Sequence, residues 1–236
     1  MGARPILLPI KELKERVVVP ICFDVTIGIR NAIQKNTSRE QLDALLRLDP
    51  LLCSRLLRKA NSVARRSKLP PVLEIESALA SLDIELIRKV ANDTSTQQLL
   101  RSRLLADFSD WIELLWDRTL TMAATGYVLA KKYTSIAPEQ AMFVTMCHDM
   151  PLHYMLYRAV QYPELRSRPA SLKHLVINWH RGIAESLLTS LGLPQELVEA
   201  VASEAPPVLP LPPKTLADIV QISNVLAVPL VESPGS

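Results

Sequence analysis

Apolar residues recur at helical spacing along almost the whole chain. Leu42, Leu45 and Leu46 form one such stripe, in which side chains three and four residues apart share one face of a helix. Serine, aspartate and proline residues precede many of the stripes, which is typical of helix starts. No run of residues alternates between apolar and polar types with turn residues at its ends, as β-strands do. The pattern predicts an all-α fold.

Individual residues predict where the helices begin and end. Ser38 and Gln41 are spaced as a capping box. The helix after Asp49-Pro50 is expected to end near Asn61, and the helix after Asp83 at Ala91. A fresh helix is expected at Pro151, because an interior proline breaks a helix. Further helix starts are expected at or near Ser77, Thr94 or Ser95, Ser109, Pro138, Ser171, Arg181, Pro194 and Thr215.

Composition excludes several classes of protein. Only 6 glycines occur among 236 residues, and none are spaced as in a dinucleotide-binding turn or a P-loop. The net charge of +3 is too small to indicate nucleic acid or an acidic membrane by itself. Three widely spaced cysteines indicate a reducing compartment rather than a disulfide framework. No apolar stretch is long enough to span a membrane, so a cytoplasmic protein without membrane contact is expected.

A series of motifs resembles the HD-related output domain, or HDOD, family. The opening motif combines Asp49-Pro50, Leu51-Leu52 and Ala60-Asn61-Ser62. Weaker matches follow in the family's order, at residues 75–82, 115–118, 148–149, 180–194 and 216–220. The resemblance covers about Val17 to Leu226 and implies one domain over residues 1–236. It implies an N-terminal helical bundle, residues 1–108, packed on a degenerate HD-like helical half, residues 109–236. It also implies a bacterial regulatory or signalling role that needs no cofactor.

The resemblance also allows the metal-binding positions of HD phosphohydrolases to be compared with this chain. Those enzymes hold a metal with a first His, a His-Asp pair and a distant Asp. Here the pair is His148-Asp149, but Arg118 and Asn224 occupy the other two positions. We therefore expect no enzyme, no metal and no catalytic residue, with residual nucleotide phosphodiesterase activity as an alternative. A vestigial ligand-binding pocket would comprise Arg118, His148, Asp149, His180 and Asn224. In the structural interpretation, Asp149 caps the helix at Pro151 and His148 bonds a backbone carbonyl.

The densest positive region is a candidate docking patch for a protein partner. It comprises Arg55, Arg58, Lys59, Arg65, Arg66 and Lys68. Such a charge run is more often a solvated helix face. Nucleic acid is the less favoured partner, because no aromatic residue is interleaved for base stacking. The sequence therefore predicts a non-catalytic module that acts through protein contacts, with a nucleic-acid-binding regulator as a further alternative.

Overall fold

The computed structural model describes residues 19, 22–162, 164, 167–204, 206 and 208–227. All regular secondary structure in these ranges is helical, which confirms the all-α prediction. A 3-10 helix, Arg103–Phe108, joins the fifth α-helix to the sixth. The α-helices are α1 (Phe23–Gln34), α2 (Arg39–Leu46), α3 (Pro50–Arg66), α4 (Ile75–Ser81), α5 (Ile84–Ser102), α6 (Ser109–Tyr133), α7 (Pro138–Ala159), α8 (Pro169–Leu191), α9 (Gln195–Ala202) and α10 (Leu216–Leu226). None of the helices in the described ranges combines the length and apolarity needed to cross a membrane.

Several helix starts follow from capping side chains. Ser38, Asp49, Asp83 and Thr215 each accept a hydrogen bond from a backbone N–H in the first turn of the following helix. These bonds satisfy donors that have no partner within the helix. The predicted starts at these four residues are confirmed.

Four predicted interruptions are wrong, because the helices continue through them. α3 runs past Asn61 to Arg66, with Ala64 still buried in the core. α5 continues through Thr94 and Ser95, and α8 is continuous from residue 169 to residue 191. Within α5, the Ser95 hydroxyl donates to the Ala91 carbonyl at 2.8 Å, so it bonds the preceding turn instead of capping a new helix.

The predicted helix start at Pro151 is the most consequential of these errors. Pro151 lies inside α7, which extends without a break from Pro138 to Ala159. Nearly every side chain of α7 from Phe143 to Tyr157 is buried, so packing surrounds the helix on all sides. Proline in a helix interior costs about 3 kcal/mol, and this burial offsets that cost.

The helices enclose one large apolar core and one smaller cluster. Residues from Val19 to Val220 contribute to the large core, including members from both predicted halves. The small cluster forms where the 3-10 helix meets α6 and α7; its members are Leu105, Phe108, Leu115, Leu152, Leu156, Tyr157 and Ala159. The predicted boundary at residues 108 and 109 coincides with the start of α6. The division into two halves of one domain stays a prediction.

Candidate functional site

The five residues predicted for the vestigial pocket lie on four helices of the second half. Arg118 is on α6, His148 and Asp149 are on α7, His180 is on α8 and Asn224 is on α10. Hydrogen bonds and ring contacts connect all five. We call this group the Arg118 cluster.

A close approach of α6 to α7 lies about two helical turns along α6 from Arg118. Gly126 on α6 faces Thr145 on α7, and a Cβ atom at Gly126 would lie 2.7 Å from Thr145 Cγ2. Any larger residue at position 126 would therefore push the two helices apart. The short separation allows Arg118 on α6 to reach Asp149 on α7.

The Arg118 guanidinium is the centre of the cluster. Its Nε lies 3.1 Å from Asp149 Oδ2, and a terminal nitrogen donates to Asn224 Oδ1. The Arg118 and Asp149 side chains are 6% and 0% exposed. A buried ion pair of this kind persists only where both charges have several partners. The Thr119 hydroxyl adds only a weak contact at 3.5 Å from Asp149 Oδ2, because it donates to the Leu115 carbonyl at 2.8 Å.

Two histidines complete the cluster. His148 Nδ1 lies 2.9 Å from Asp149 Oδ1, and because a carboxylate only accepts, Nδ1 carries the hydrogen. His180 Nε2 donates to the backbone carbonyl of His148 at 2.6 Å. The two rings are stacked at a tilt of 40°, with centroids 4.4 Å apart. These bonds fix the orientation of both imidazoles.

The charges in the cluster shift two pKa values. Burial by itself would raise the pKa of Asp149, but the hydrogen bond from His148 and the nearby positive charges lower it below its ordinary value. Burial, with the neighbouring charge of His148, lowers the pKa of His180 to about 4. At neutral pH the cluster therefore holds a charged Asp149 and a neutral His180.

The cluster contains metal-binding residue types but does not fit a catalytic metal. The donor atoms of His148, Asp149 and His180 lie within 4.8 Å of one another. However, the Arg118 guanidinium already forms an ion pair with the Asp149 carboxylate, and His180 Nε2 already donates to a carbonyl. A divalent cation would have to share Asp149 with a guanidinium that never loses its charge. The neutral Asn224 oxygen is likewise occupied by Arg118.

The structural interpretation of the His-Asp pair is wrong in detail. Asp149 lies in the middle of α7, so it caps no helix, and its carboxylate bonds Arg118 and His148. His148 accepts His180 at its own carbonyl, while its ring bonds Asp149 instead of a backbone carbonyl. The error follows from the expectation that Pro151 begins a helix.

One buried histidine near the cluster has no hydrogen-bond partner among the described residues. This residue is His153, which lies on α7 one helical turn after Asp149. Burial lowers its pKa to about 4. A single histidine in an apolar segment carries no sequence signal that distinguishes it from a hydrogen-bonded one.

The opening motif proves to be structural. Asp49 accepts from the Leu52 N–H and from Gln98 Nε2, both at 2.9 Å, and thus joins α3 to α5. Asn61 clamps the connector after α3, because its amide donates to the Val72 carbonyl at 2.9 Å and accepts from the Val72 N–H at 2.7 Å. The motif therefore specifies a helix start and the path of the connector that follows α3.

The structure exposes five of the six residues of the predicted docking patch, and docking itself stays a prediction. Arg58, Lys59, Arg65, Arg66 and Lys68 are exposed on the second half of α3 and just after it. Arg55 is different, because it donates to Thr94 Oγ1 at 2.8 Å and to Gln97 Oε1 at 3.0 Å on α5. Burial also lowers its pKa. We call the five exposed residues the basic surface and leave Arg55 out of it.

Comparisons with known proteins agree with the helical fold and with the opening motif. A family model described as the HDOD domain matches residues 19–207, which is most of the chain. The chain belongs to the HDOD family. No curated protein matches it in sequence.

Solved structures from Methylococcus capsulatus str. Bath share the fold. One is a crystal structure titled MmoQ response regulator, with 21% sequence identity and a TM-score of 0.66. It matches 89% of this chain and 86% of its own. A second crystal structure, of an MmoQ fragment, has 21% identity and a TM-score of 0.64, with 88% and 83% of the two chains covered. At this identity the likeness concerns the fold.

Proposed function

We propose that this chain is a non-catalytic, cytoplasmic module of bacterial signal transduction that acts through contacts with a protein partner. The observation that carries the lack of catalysis is the Arg118 guanidinium, which bonds both Asp149 and Asn224. In the resembled phosphohydrolases these two positions hold the metal. Here a permanent side-chain cation balances the carboxylate instead.

The remaining groups of the cluster do not supply a substitute chemistry. Hydrolysis of a phosphoester at such a site needs a metal-bound water as the nucleophile. Arg118 cannot ligate a metal or act as a base, because it stays protonated. Asp149 is fully buried, and its charge is balanced by Arg118 and the hydrogen bond from His148. The arrangement thus supports a structural centre in place of an active site.

Metal content and hydrolysis together test the lack of catalysis. The protein is incubated with excess Mn²⁺, desalted and analysed for metal, and then assayed against bis(p-nitrophenyl) phosphate. We expect metal far below one ion per chain and hydrolysis no faster than in the blank. His148→Ala serves as the matched control. Stoichiometric metal together with hydrolysis that disappears in His148→Ala would instead support the phosphohydrolase alternative.

Family membership and the structural neighbours support the signalling part of the proposal. The two neighbours are titled response regulators, and that description applies to those proteins. The proposal transfers the same kind of role to this chain, because the shared helical fold covers most of both chains. A signalling role needs no catalytic metal, which agrees with a centre in which Arg118 balances the charge of Asp149.

The basic surface is the region that we propose contacts the partner. No acidic residue occurs between Asp49 and Glu74, so the segment itself carries a net positive charge. Val63 and Leu69 are also exposed there, which adds apolar contact area. An acidic protein surface with apolar side chains complements this combination better than phosphates do.

Charge reversal separates the protein partner from the nucleic-acid alternative. The test variant is Arg65→Glu/Arg66→Glu, and the matched control is Lys131→Glu/Lys132→Glu, two exposed lysines at the end of α6. We expect a protein captured from the native cell to be lost with the test variant and kept with the control. We expect no gel shift of duplex DNA at moderate salt. A DNA shift that is lost with the test variant alone would favour nucleic acid.

A further inference from the structure

One long face of α6 is exposed, while the opposite face packs against α7 and α10. Residues three and four apart along a helix share a face. The exposed residues at this spacing are Asp117, Thr121, Ala124, Val128 and Lys131. The distance from the first to the last is about 21 Å, or about four helical turns. A face of this length is long enough to pack along a second helix.

The middle of this face is apolar. Leu120 and Val128 are 38% and 45% exposed, and Ala124 between them is exposed as well. We call these three residues the apolar strip. Contact with another apolar surface would remove the two larger side chains from water, which is favourable. The small Ala124 side chain at the centre allows a second helix to approach closely.

The two ends of the face carry opposite charges. Five exposed charged residues flank the apolar strip: Asp110, Glu113 and Asp117 before it, and Lys131 and Lys132 after it. None of the five forms an ion pair with another residue that the structure describes. This order of charges matches the helix dipole. The dipole does not account for the exposed leucine and valine between them.

The pattern is complementary to itself when the helix is reversed. A two-fold rotation about an axis through Ala124, perpendicular to α6, reverses the direction of the helix. The rotation exchanges the positions of Leu120 and Val128, which lie four residues before and after Ala124. It also exchanges those of Asp117 and Lys131, which lie seven residues before and after it. An antiparallel second α6 would therefore place unlike charges together at both ends of the apolar strip.

We propose that this face of α6 is the contact surface of a homodimer, in which the α6 helices of two copies of this chain pack antiparallel about a two-fold axis at Ala124. Asp117 of each copy would face Lys131 of the other, and Leu120 of each would face Val128. Such an interface is isologous, because both copies use the same surface and every contact occurs twice. Another protein would have no reason to match both ends of a face that is symmetric about its own centre.

The size of the contact predicts a weak dimer. Two helices that touch over about four turns bury less than the roughly 800 Å² per copy of a standard interface. The ion pairs at the two ends are exposed, so salt screens them. Self-association should therefore depend on both protein concentration and ionic strength.

Sedimentation equilibrium of the full chain, from about 10 µM to about 1 mM, tests the proposal. We expect a monomer–dimer equilibrium that shifts to monomer as salt is raised. Asp117→Lys and Lys131→Asp each place like charges opposite one another, and each is expected to weaken self-association at least about tenfold. The control Glu185→Lys reverses an exposed charge on α8 and is expected to leave self-association unchanged.

An equimolar mixture of the two single variants gives the most specific measurement. One variant then carries two positive charges at positions 117 and 131, and the other carries two negative charges there. A heterodimer of the two restores an unlike pair at both ends, whereas each homodimer has like pairs. We expect the mixture to associate about as strongly as the unmodified chain. Circular dichroism confirms that each variant is folded.

Three results would refute the proposal. The first is an unmodified chain that stays monomeric up to about 1 mM. The second is self-association of both single variants at the strength of the unmodified chain, which would place the contact elsewhere. The third is a mixture that associates no more strongly than its two components.

The homodimer goes beyond the proposed function and does not depend on it. The basic surface lies on α3 and just after it, whereas the dimer contact lies on α6. Lys131→Glu/Lys132→Glu is therefore expected to lose the dimer and keep the captured partner. Arg65→Glu/Arg66→Glu is expected to keep the dimer and lose the partner. Failure of either result leaves the other unaffected.

Discussion

Among the residues that the structure describes, two aspartates are buried, one in each predicted half, and they are held by different kinds of partner. Asp49, 4% exposed, accepts from the Leu52 N–H and the Gln98 amide, which are neutral. Asp149, fully buried, faces the Arg118 guanidinium and the His148 ring. Two similarly buried carboxylates therefore have different roles, since Asp49 caps a helix and Asp149 belongs to a charged centre. The second arrangement is the one that resembles a former metal site.

The two environments shift the two pKa values in opposite directions. Burial raises the pKa of Asp49, because its hydrogen bonds offset the loss of water only in part. The partners of Asp149 more than offset its burial, so its pKa is lowered. Asp149 therefore stabilises the fold above its unfolded pKa, and this contribution is lost as the pH falls through its folded pKa. Asp49 has the opposite sign, since ionisation above its unfolded pKa opposes folding.

The largest effect is expected on removing the cation from the charged centre. Arg118→Met leaves the Asp149 carboxylate buried without its main partner, which should lower the free energy of unfolding by about 3–5 kcal/mol. Urea denaturation measures the change. In Arg118→Met/Asp149→Leu both charges are gone, and most of the stability is expected to return. A double variant as unstable as Arg118→Met would show that the ion pair is not the source of the loss.

A matched pair of substitutions compares the two aspartates directly. Asp149→Asn removes the counter-charge of buried Arg118, so we expect a loss of about 3 kcal/mol. Asp49→Asn keeps an acceptor for the Leu52 N–H, and the Gln98 amide can turn to bond it, so the expected loss is about 1 kcal/mol. Thermal and urea unfolding of both variants check the difference. Equal losses would contradict the distinction between a neutral and a charged centre.

Of the two aspartates, only Asp49 has a role that could largely be predicted from the sequence. Its role as a helix cap follows from local order, because Asp-Pro before an apolar stripe specifies a helix start. Its bond to Gln98, 49 residues away, does not. The members of the Arg118 cluster could be grouped only through the resemblance to a family motif. The structure shows that they are in contact.

The continuity of α5 and α7 through their expected breaks could not be predicted for a related reason. Pro151 is a strong local signal for a helix start, yet the buried surroundings of α7 override it. Ser95 is of a residue type that often caps helices, but its hydroxyl donates to the Ala91 carbonyl in the preceding turn. Local residue preferences decide these positions only where tertiary packing does not.

Acid should destabilise the half that contains the charged centre. His153 is buried with its pKa lowered to about 4, from an unfolded value of 6.5, so the unfolded chain binds the proton more readily. Stability therefore falls as the pH drops from 6.5 towards 4, with His153 contributing about 2 kcal/mol by pH 4.5. His180, with the same lowered pKa, acts in the same direction.

Urea denaturation at neutral and acidic pH measures this effect. His153→Leu is expected to flatten the fall in stability, because an apolar residue replaces the buried imidazole without binding a proton. Asp49→Asn serves as the control from the other half and should keep or deepen the acid-induced loss, because ionised Asp49 opposes folding. An undiminished loss in His153→Leu would assign the acid sensitivity to other groups.

The smallest expected effects concern one threonine beside each aspartate. The Thr26 hydroxyl lies 2.7 Å from both Gln98 Oε1 and the Cys22 carbonyl, so Thr26→Val removes a donor that they share and should cost about 1 kcal/mol. Thr119 lies 3.5 Å from Asp149, which keeps stronger partners, so Thr119→Val should cost about 0.5 kcal/mol. Chemical denaturation of both variants gives the order. The reverse order would mean that the charged centre depends on Thr119 more than its geometry indicates.

The contacts of Arg118 also restrict how this chain can change over generations. Histidine at position 118, as in the resembled hydrolases, would remove the cation that faces buried Asp149. A variant with that single change would be less stable and would be degraded more readily in the cell. Selection for a stable fold therefore opposes replacement of Arg118 unless position 149 changes with it.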